Sequence, residues 1–99
     1  MEKDLDYIEL FEIYKGLLTE KQRELFSSHF LYDLTLSEIV EQEGGSRQSV
    51  SDAVRKVKIK LKEYEKLLGL RSKYQEIRRI AEQMEDKEIC DKIIEIIGR

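Results

Sequence analysis

Apolar residues recur along this chain at steps of three and four, the spacing that gathers them on one side of an α-helix. Short polar or glycine-containing segments interrupt the pattern, and none of the 99 residues is proline. A chain of this length forms one domain with a modest core. The pattern therefore predicts an all-α fold, a bundle of about five to six helices in a single domain over residues 1–99.

Two helices are expected in the first third of the chain. The first covers about residues 4–18, and the second starts at Thr19, where Thr-Glu-Lys-Gln has the spacing of a capping box. His29, the only histidine, falls on the apolar side of the second helix, so we expect it at the rim of the core. The apolar sides comprise Leu5, Ile8, Phe11, Tyr14 and Leu18 in the first helix and Leu25, Phe26, His29, Phe30 and Tyr32 in the second.

The next two helices are joined by a glycine turn. A second capping-box spacing at Thr35 opens a short helix over about 36–43, and Gly44-Gly45 follows, where positive φ is cheap only for glycine. A serine then caps a fourth helix over 47–68, which contains neither glycine nor proline and reaches ~33 Å. Its apolar seam comprises Val50, Val54, Val57, Leu61, Tyr64 and Leu68.

Residues 69–99 are expected to form a C-terminal helical extension. Gly69 ends the long helix, and two further helices are predicted over about 71–85 and 87–97. Cys90 lies among isoleucines and is expected to be a small core residue. The last helix carries more isoleucine than one amphipathic helix buries, so we expect it to be sandwiched in the core or to form a homodimer contact, and we favour the homodimer. The fifth helix is expected to bury Tyr74, Ile77, Ile80, Ala81 and Met84.

Charge is distributed unevenly along the chain, although the formal net charge is only −3. Residues 1–46 hold 4 Lys/Arg against 11 Asp/Glu, residues 47–80 hold 11 against 4, and residues 81–99 hold 3 against 6. The basic middle begins where the fourth helix begins. At ~100° per residue, most basic side chains of that helix share one exposed stripe. The stripe comprises Arg47, Gln48, Ser51, Arg55, Lys58, Lys62 and Lys66, with Ile59 beside it.

Residues 35–58 have the pattern of a helix-turn-helix, in which the second helix enters a nucleic-acid groove. Arg47 and Gln48 start that helix, and their side-chain types read guanine and adenine edges. Neighbouring serines and cations can contact phosphate, so we expect a nucleic-acid partner, and of DNA and RNA we favour DNA. The candidate nucleic-acid-binding residues are Ser46, Arg47, Gln48, Ser49, Ser51, Arg55, Lys56, Lys58 and Lys62.

Other chemistry lacks the residues it needs. The sequence contains neither a GxxxxGKS/T phosphate loop nor GxGxxG, and one histidine and one cysteine assemble neither a catalytic set nor a metal site. We therefore expect a non-enzymatic protein with no cofactor and no metal. The apolar runs are too short to span a membrane, and the first residues lack the apolar core of a secretory signal. A single cysteine suits a reducing compartment, so a cytoplasmic location is expected.

The stretches LFEIYKGLLTEKQ (10–22) and TLSEIVEQEGGSRQSVSDAVRK (35–56) resemble the YlxM family of small bacterial proteins. The resemblance covers about residues 8–68, and its most specific part is Ser46-Arg47-Gln48-x-Val50-x-Asp52. It implies a fold similar to region 4 of sigma factors, which grips promoter DNA, and a link to the signal recognition particle pathway. The chain departs from the family at Glu43, Gly45 and Ser51, where members usually carry two apolar residues and a tyrosine. We expect weaker packing of the turn and fewer base contacts as a result.

Three functions follow from these observations. The first is a DNA-binding regulator whose dimer spans two half-sites, and the family resemblance adds that it serves or regulates the signal recognition particle pathway. The second is an accessory protein that binds the particle's RNA, or an acidic surface of its GTPase, through the basic stripe. The third is a protein-protein adaptor that binds through residues 87–99, without sequence-specific DNA binding. We predict the first.

Overall fold

The computed structural model describes residues 4–98, and within them every regular element is helical. The predicted all-α fold is thereby confirmed. Residues 1–3 and 99 belong to the predicted domain but lie outside the described residues. A 3-10 turn, Lys15–Leu17, follows the first helix, and a π-helical turn, Ser27–Leu31, continues the second. The helices are α1 (Asp4–Tyr14), α2 (Glu20–Phe26), α3 (Leu36–Glu43), α4 (Arg47–Leu68), α5 (Leu70–Ala81) and α6 (Lys87–Ile97).

The chain divides into two compact units, one that ends at Leu68 and one that begins at Gly69. Gly69 has φ 62° and ψ 26°, a left-handed conformation that ends α4 and that glycine adopts without the steric cost other residues bear. This boundary coincides with the start of the predicted C-terminal extension. The bounds of α3, α4 and α6 agree with the sequence predictions, whereas α5 ends at Ala81 and not near residue 85.

Side-chain caps determine where α2 and α3 begin, as the sequence predicted. The Gln22 amide donates to Thr19 Oγ1 at 3.1 Å, while the Thr19 amide donates to Gln22 Oε1 at 2.9 Å. Thr35 and Glu38 repeat the same reciprocal pair with the same two distances. The hydrogen bonds that Glu38 accepts from Thr35, chiefly from its backbone N–H, lower the pKa of that carboxyl below its ordinary value.

In the first unit the core is built from α1, α2 and the buried side of α4. Phe26 is fully buried, with its ring stacked between Phe11 at 4.5 Å and Phe30 at 4.4 Å. The α1 prediction was wrong at Leu5, which is 67% exposed, because the buried side of α1 is rotated toward Tyr7. The buried residues of α1, its following turn and α4 are Tyr7, Leu10, Phe11, Tyr14, Leu18, Val50, Val54, Val57 and Leu61.

Two polar contacts attach the far end of α1 to α4. Tyr14, itself buried, donates its hydroxyl to Glu65 Oε1 at 2.6 Å. The Tyr64 hydroxyl donates to the backbone oxygen of Leu17 at 3.4 Å, and the Tyr14 and Tyr64 rings lie 5.8 Å apart. Because these contacts join residues about fifty positions apart, they hold the C-terminal half of α4 against α1.

Tyr32, predicted to lie on the apolar side of the second helix, is instead 71% exposed.

The second unit is a pair of helices, α5 and α6. Ala81 and Cys90 are buried, so the expectation that Cys90 is a small core residue is confirmed. The prediction that α5 buries Ile77 and Ile80 was wrong, because both are exposed. A pair of short helices fully encloses only small residues, and its larger apolar side chains are half-buried or exposed. Within residues 4–98, no helix is long and apolar enough to cross a membrane.

Candidate nucleic-acid interface

The pair α3–α4 is held together by an apolar cluster at the heart of the predicted helix-turn-helix. Ile39 of α3 is fully buried against Val50 and Val54 of α4. This arrangement fixes the direction of the first half of α4, so its outer face is presented on a rigid scaffold. Partly buried side chains complete the cluster, namely Leu25, Phe30, Leu34, Leu36 and Val40.

The turn between α3 and α4 depends on its two glycines. Gly44 has φ 83° and Gly45 has φ 85°, as the sequence predicted. A Cβ at position 45 would lie 2.9 Å from Ser49 Oγ, so a larger residue here would be strained both in φ and by this contact. Beside the turn lies a pocket of about 270 Å³, lined in part by Leu25, Ile39 and Ala53.

The serines at the start of α4 are occupied in capping. The Ser49 amide donates to Ser46 Oγ at 3.0 Å, and the Ser46 amide donates to Ser49 Oγ at the same distance. Ser49 Oγ also donates to the Ser46 backbone oxygen at 2.8 Å. Both residues are exposed. Their first role is therefore to start the helix, and a phosphate contact from either hydroxyl would have to share or replace a capping hydrogen bond.

Arg47 lies in the first turn of α4, which contains no acidic residue. It is exposed and has no hydrogen-bond or ion-pair partner within residues 4–98. Acidic side chains in the first turn ordinarily compensate the partial positive charge at the N-terminus of a helix, whereas the first turn of α4 carries the cation Arg47. The N-terminus of α4 is therefore a region of positive potential that is open to solvent.

One turn further along, three polar side chains of α4 form a connected set. Gln48 Nε2 donates to Asp52 Oδ1 at 3.0 Å, and Arg55 donates from a guanidinium nitrogen to the same oxygen at 3.2 Å. The side chain of Arg55 is nevertheless 69% exposed. Two of the predicted binding residues are thus held by the carboxylate of Asp52, which is not among the predicted site residues.

The lysines of the middle of α4 are held over aromatic rings. Lys58 Nζ lies 5.1 Å from the centre of the Tyr7 ring and 5.0 Å from that of Phe30. Lys62 Nζ lies 5.3 Å from the Tyr7 ring centre. Cation–π contacts restrict the lysine stems while leaving each ammonium charged. These two cations are consequently better fixed than lysines on a bare helix.

The predicted site residues occupy more than one face of α4. At ~100° per residue, Ser51, Arg55, Lys58 and Lys62 share the predicted stripe. Lys56 lies about 100° or more around the axis from them and is exposed on a separate face. Ile59 is exposed, as expected beside the stripe. A groove of about 320 Å³ runs along the stripe, and it is lined by Tyr7, Arg55, Lys58, Ile59, Lys62, Glu63 and Lys66.

Sequence reasoning missed Tyr7, Phe30 and Asp52 as parts of this surface. Asp52 lies four residues after Gln48 and three before Arg55, a spacing that puts side chains in contact on a helix and that could have revealed it. Tyr7 fits an alternative three- and four-residue series through Tyr14. Phe30 could be assigned to the core, but its contact with Lys58 requires the tertiary packing of the π-helical turn on α4.

His29 has a structural environment. Its ring lies edge-on to Phe30 at 4.9 Å, and Nδ1 is 3.3 Å from the backbone oxygen of Leu34. The ring is half-buried, which agrees with its predicted position at the rim of the core. Among the residues that the structure describes, no group of three or more His, Cys, Asp or Glu side chains could hold a metal ion.

Two helices joined by a glycine turn, the second with an exposed, basic side, define the class of helix-turn-helix proteins. Residues 1–97 match the family described as UPF0122, "Putative helix-turn-helix protein, YlxM / p13 like", and the chain belongs to this family. The resemblance found in the sequence is thus confirmed.

Relatives in three bacteria are similar over most of their length. UPF0122 protein GK1195 of Geobacillus kaustophilus is 41% identical over 86 residues, which cover 87% of this chain and 78% of the relative. UPF0122 protein BH2485 of Halalkalibacterium halodurans is 40% identical over 92 residues, covering 93% and 83%. UPF0122 protein ABC2295 of Shouchella clausii is 37% identical over 106 aligned residues, covering 100% and 97%.

Proposed function

We propose that this protein is a non-enzymatic, DNA-binding regulator that is located in the cytoplasm. The first half of α4 is its recognition helix. The observation that carries the proposal is the rigid presentation of cations along α4. The buried cluster of α3 and α4 fixes the helix, while Arg47, Arg55, Lys58 and Lys62 remain on its accessible side. An α-helix of this kind fits the major groove of B-DNA.

The bound arrangement follows from the geometry of a straight helix. Arg47 and Gln48 lie at the end of α4 that enters the groove, where their side chains can reach guanine and adenine edges. Lys62 lies about 22 Å further along at ~1.5 Å per residue, beyond the point where a curving groove leaves a straight helix. We therefore assign Arg55, Lys58 and Lys62 to phosphates, and Lys56 to phosphates on the opposite wall of the groove.

A homodimer belongs to the same proposal. In α5 and α6, Ile77, Ile80, Ile89 and Ile96 are exposed, and Ile96 is 84% exposed. Exposed apolar side chains in this number favour burial against a second copy. In the proposed dimer each protomer supplies one recognition helix, so the expected DNA site has two half-sites. Sedimentation equilibrium of the wild type and of Ile96→Glu tests the homodimer. We expect the wild type to be a dimer and Ile96→Glu to be a monomer. A monomeric wild type would contradict the proposal.

Titration against two nucleic acids tests the function itself. The purified protein is titrated at 50 and 200 mM salt against a labelled random DNA duplex and against a labelled RNA hairpin from the signal recognition particle. We expect tighter, strongly salt-dependent binding to DNA, because A-form RNA has a major groove too narrow for a helix. Preference for the hairpin would contradict the DNA proposal and favour the accessory role in the particle, while binding to neither would favour a protein-protein adaptor.

Two substitutions separate reading of bases from contact with phosphates. Once a preferred duplex is selected, Arg47→Ala should reduce the preference for one base pair by about tenfold, within the range for one specific contact. Arg55→Ala should weaken binding to all sequences alike. Equal effects of the two variants on preferred and random duplexes would contradict the assignment of Arg47 to base reading.

A further inference from the structure

Asp52 lies on the side of α4 that faces away from the buried seam, where neighbouring side chains leave it partly exposed. It is two residues from both Val50 and Val54, so at ~100° per residue it lies on nearly the opposite side of α4 from the buried seam. Gln48 lies one turn before it and Arg55 about one turn after it. A nucleic acid that meets this side of α4 therefore meets Asp52 together with Gln48 and Arg55.

The carboxylate uses one of its two oxygens for its neighbours. Oδ1 accepts from Gln48 Nε2 at 3.0 Å and from Arg55 at 3.2 Å. Oδ2 has no hydrogen-bond partner within residues 4–98. Asp52 thus holds two binding residues in defined positions and keeps its second oxygen available as an acceptor.

A carboxylate in this position opposes binding to phosphate, because like charges repel and because Arg55 must share its guanidinium between Asp52 and a phosphate. It becomes favourable only where a hydrogen-bond donor lies opposite it. In the major groove, cytosine presents a donor, its N4 amino group, without an adjacent acceptor. Adenine places its amino group beside the acceptor N7, and guanine and thymine offer acceptors.

The geometry points to Asp52 as a specificity-determining residue that accepts a hydrogen bond from a cytosine amino group in the major groove. This inference rests on the proposed function, since it requires α4 to lie in that groove. Asp52 has two effects in this arrangement. It lowers affinity for random DNA, and it holds Gln48 beside the base that it recognises and Arg55 toward the phosphates. The site therefore gains selectivity at the expense of affinity.

Site selection with matched variants tests this inference. Binding sites are selected from a randomised duplex pool by the wild type, by Asp52→Asn and by Asp91→Asn, an equal charge change on exposed Asp91 of α6. We expect the wild type and Asp91→Asn to retain a cytosine at one fixed position, with about tenfold weaker binding when it is replaced by thymine. Asp52→Asn should lose that preference and bind random duplex about threefold more tightly. Thermal melts establish that all three are folded.

The outcomes separate the inference from the proposed function. If the wild type binds duplex DNA in a salt-dependent manner and Asp52→Asn selects the same bases with the same random-duplex affinity, the role of Asp52 is overturned and DNA binding stands. If Asp91→Asn changes selection as much as Asp52→Asn, the effect is one of net charge and the role is also overturned. If the wild type binds no duplex, both the inference and the proposed function fail.

Discussion

The salt dependence of DNA binding gives the most quantitative test of the proposed interface. Arg55, Lys56, Lys58 and Lys62 fall within about 10 Å of helix axis at ~1.5 Å per residue. Duplex DNA presents one charge per about 1.7 Å of its axis, so four phosphates are within reach. Four neutralised phosphates per protomer predict a slope of log K against log salt of about −3.6, which is roughly a 150-fold loss of affinity between 50 and 200 mM salt.

Removing one of these charges should change the slope by a known amount. Lys58→Gln keeps an apolar stem against the rings of Tyr7 and Phe30 while it removes the charge. We expect a slope of about −2.7 and roughly a 40-fold loss over the same salt range. Fluorescence anisotropy of a labelled random duplex at four salt concentrations measures both quantities.

A matched control uses an exposed cation elsewhere in the first unit. Lys15 lies in the 3-10 turn after α1 and pairs with Glu12 at 3.4 Å, so Lys15→Gln removes one charge near the far end of α4 from Arg47. Its slope should equal that of the wild type. A wild-type slope for Lys58→Gln, or an equal reduction by Lys15→Gln, would refute the assignment of phosphate contacts to α4.

Three further predictions concern the scaffold. Tyr14→Phe removes the 2.6 Å hydrogen bond to Glu65 and should lower the free energy of unfolding by about 1.5 kcal/mol in urea titrations. Tyr32→Phe, whose residue is 71% exposed, serves as the control and should change the free energy of unfolding little. Equal effects of the two variants would contradict a stabilising role of the Tyr14 hydrogen bond. Ala53→Leu should fill part of the 270 Å³ pocket and raise stability by about 1 kcal/mol, and a loss would show that the pocket cannot accept the side chain. Since folding lowers the pKa of Glu38, its stabilisation should be present above the unfolded pKa and be lost as pH falls through the folded pKa. The stability difference between wild type and Glu38→Gln should therefore shrink from pH 6 to pH 3, and a constant difference would disprove it.

Local signals in the sequence determined most of the secondary structure. The capping boxes at Thr19 and Thr35 and the glycines at 44, 45 and 69 act within a few residues, so their effect does not depend on the rest of the fold. The apolar seam of α4 was also readable, because Val50, Val54 and Val57 repeat at helical spacing along an uninterrupted helix. The helix-turn-helix and its basic second helix follow from these same signals.

Tertiary structure decided which of two possible sides of a helix is buried. In α1, series through Leu5 and through Tyr7 both satisfy three- and four-residue spacing, and packing against α2 and α4 chose the second. In α5, periodicity identified the apolar side but not whether anything covers it, and Ile77 and Ile80 are exposed. Burial depends on the elements that lie opposite, which spacing within one helix does not encode.

The candidate site shows the same division between local and long-range causes. The cations of the site, and their position directly after the glycine turn, were evident in the sequence, because all of these cations belong to the single helix α4. The aromatic support of Lys58 and Lys62 comes from Tyr7 and Phe30, residues from other elements, so only the folded chain brings them together. Sequence by itself determined which side chains α4 offers, and tertiary packing decided which of them are held in place.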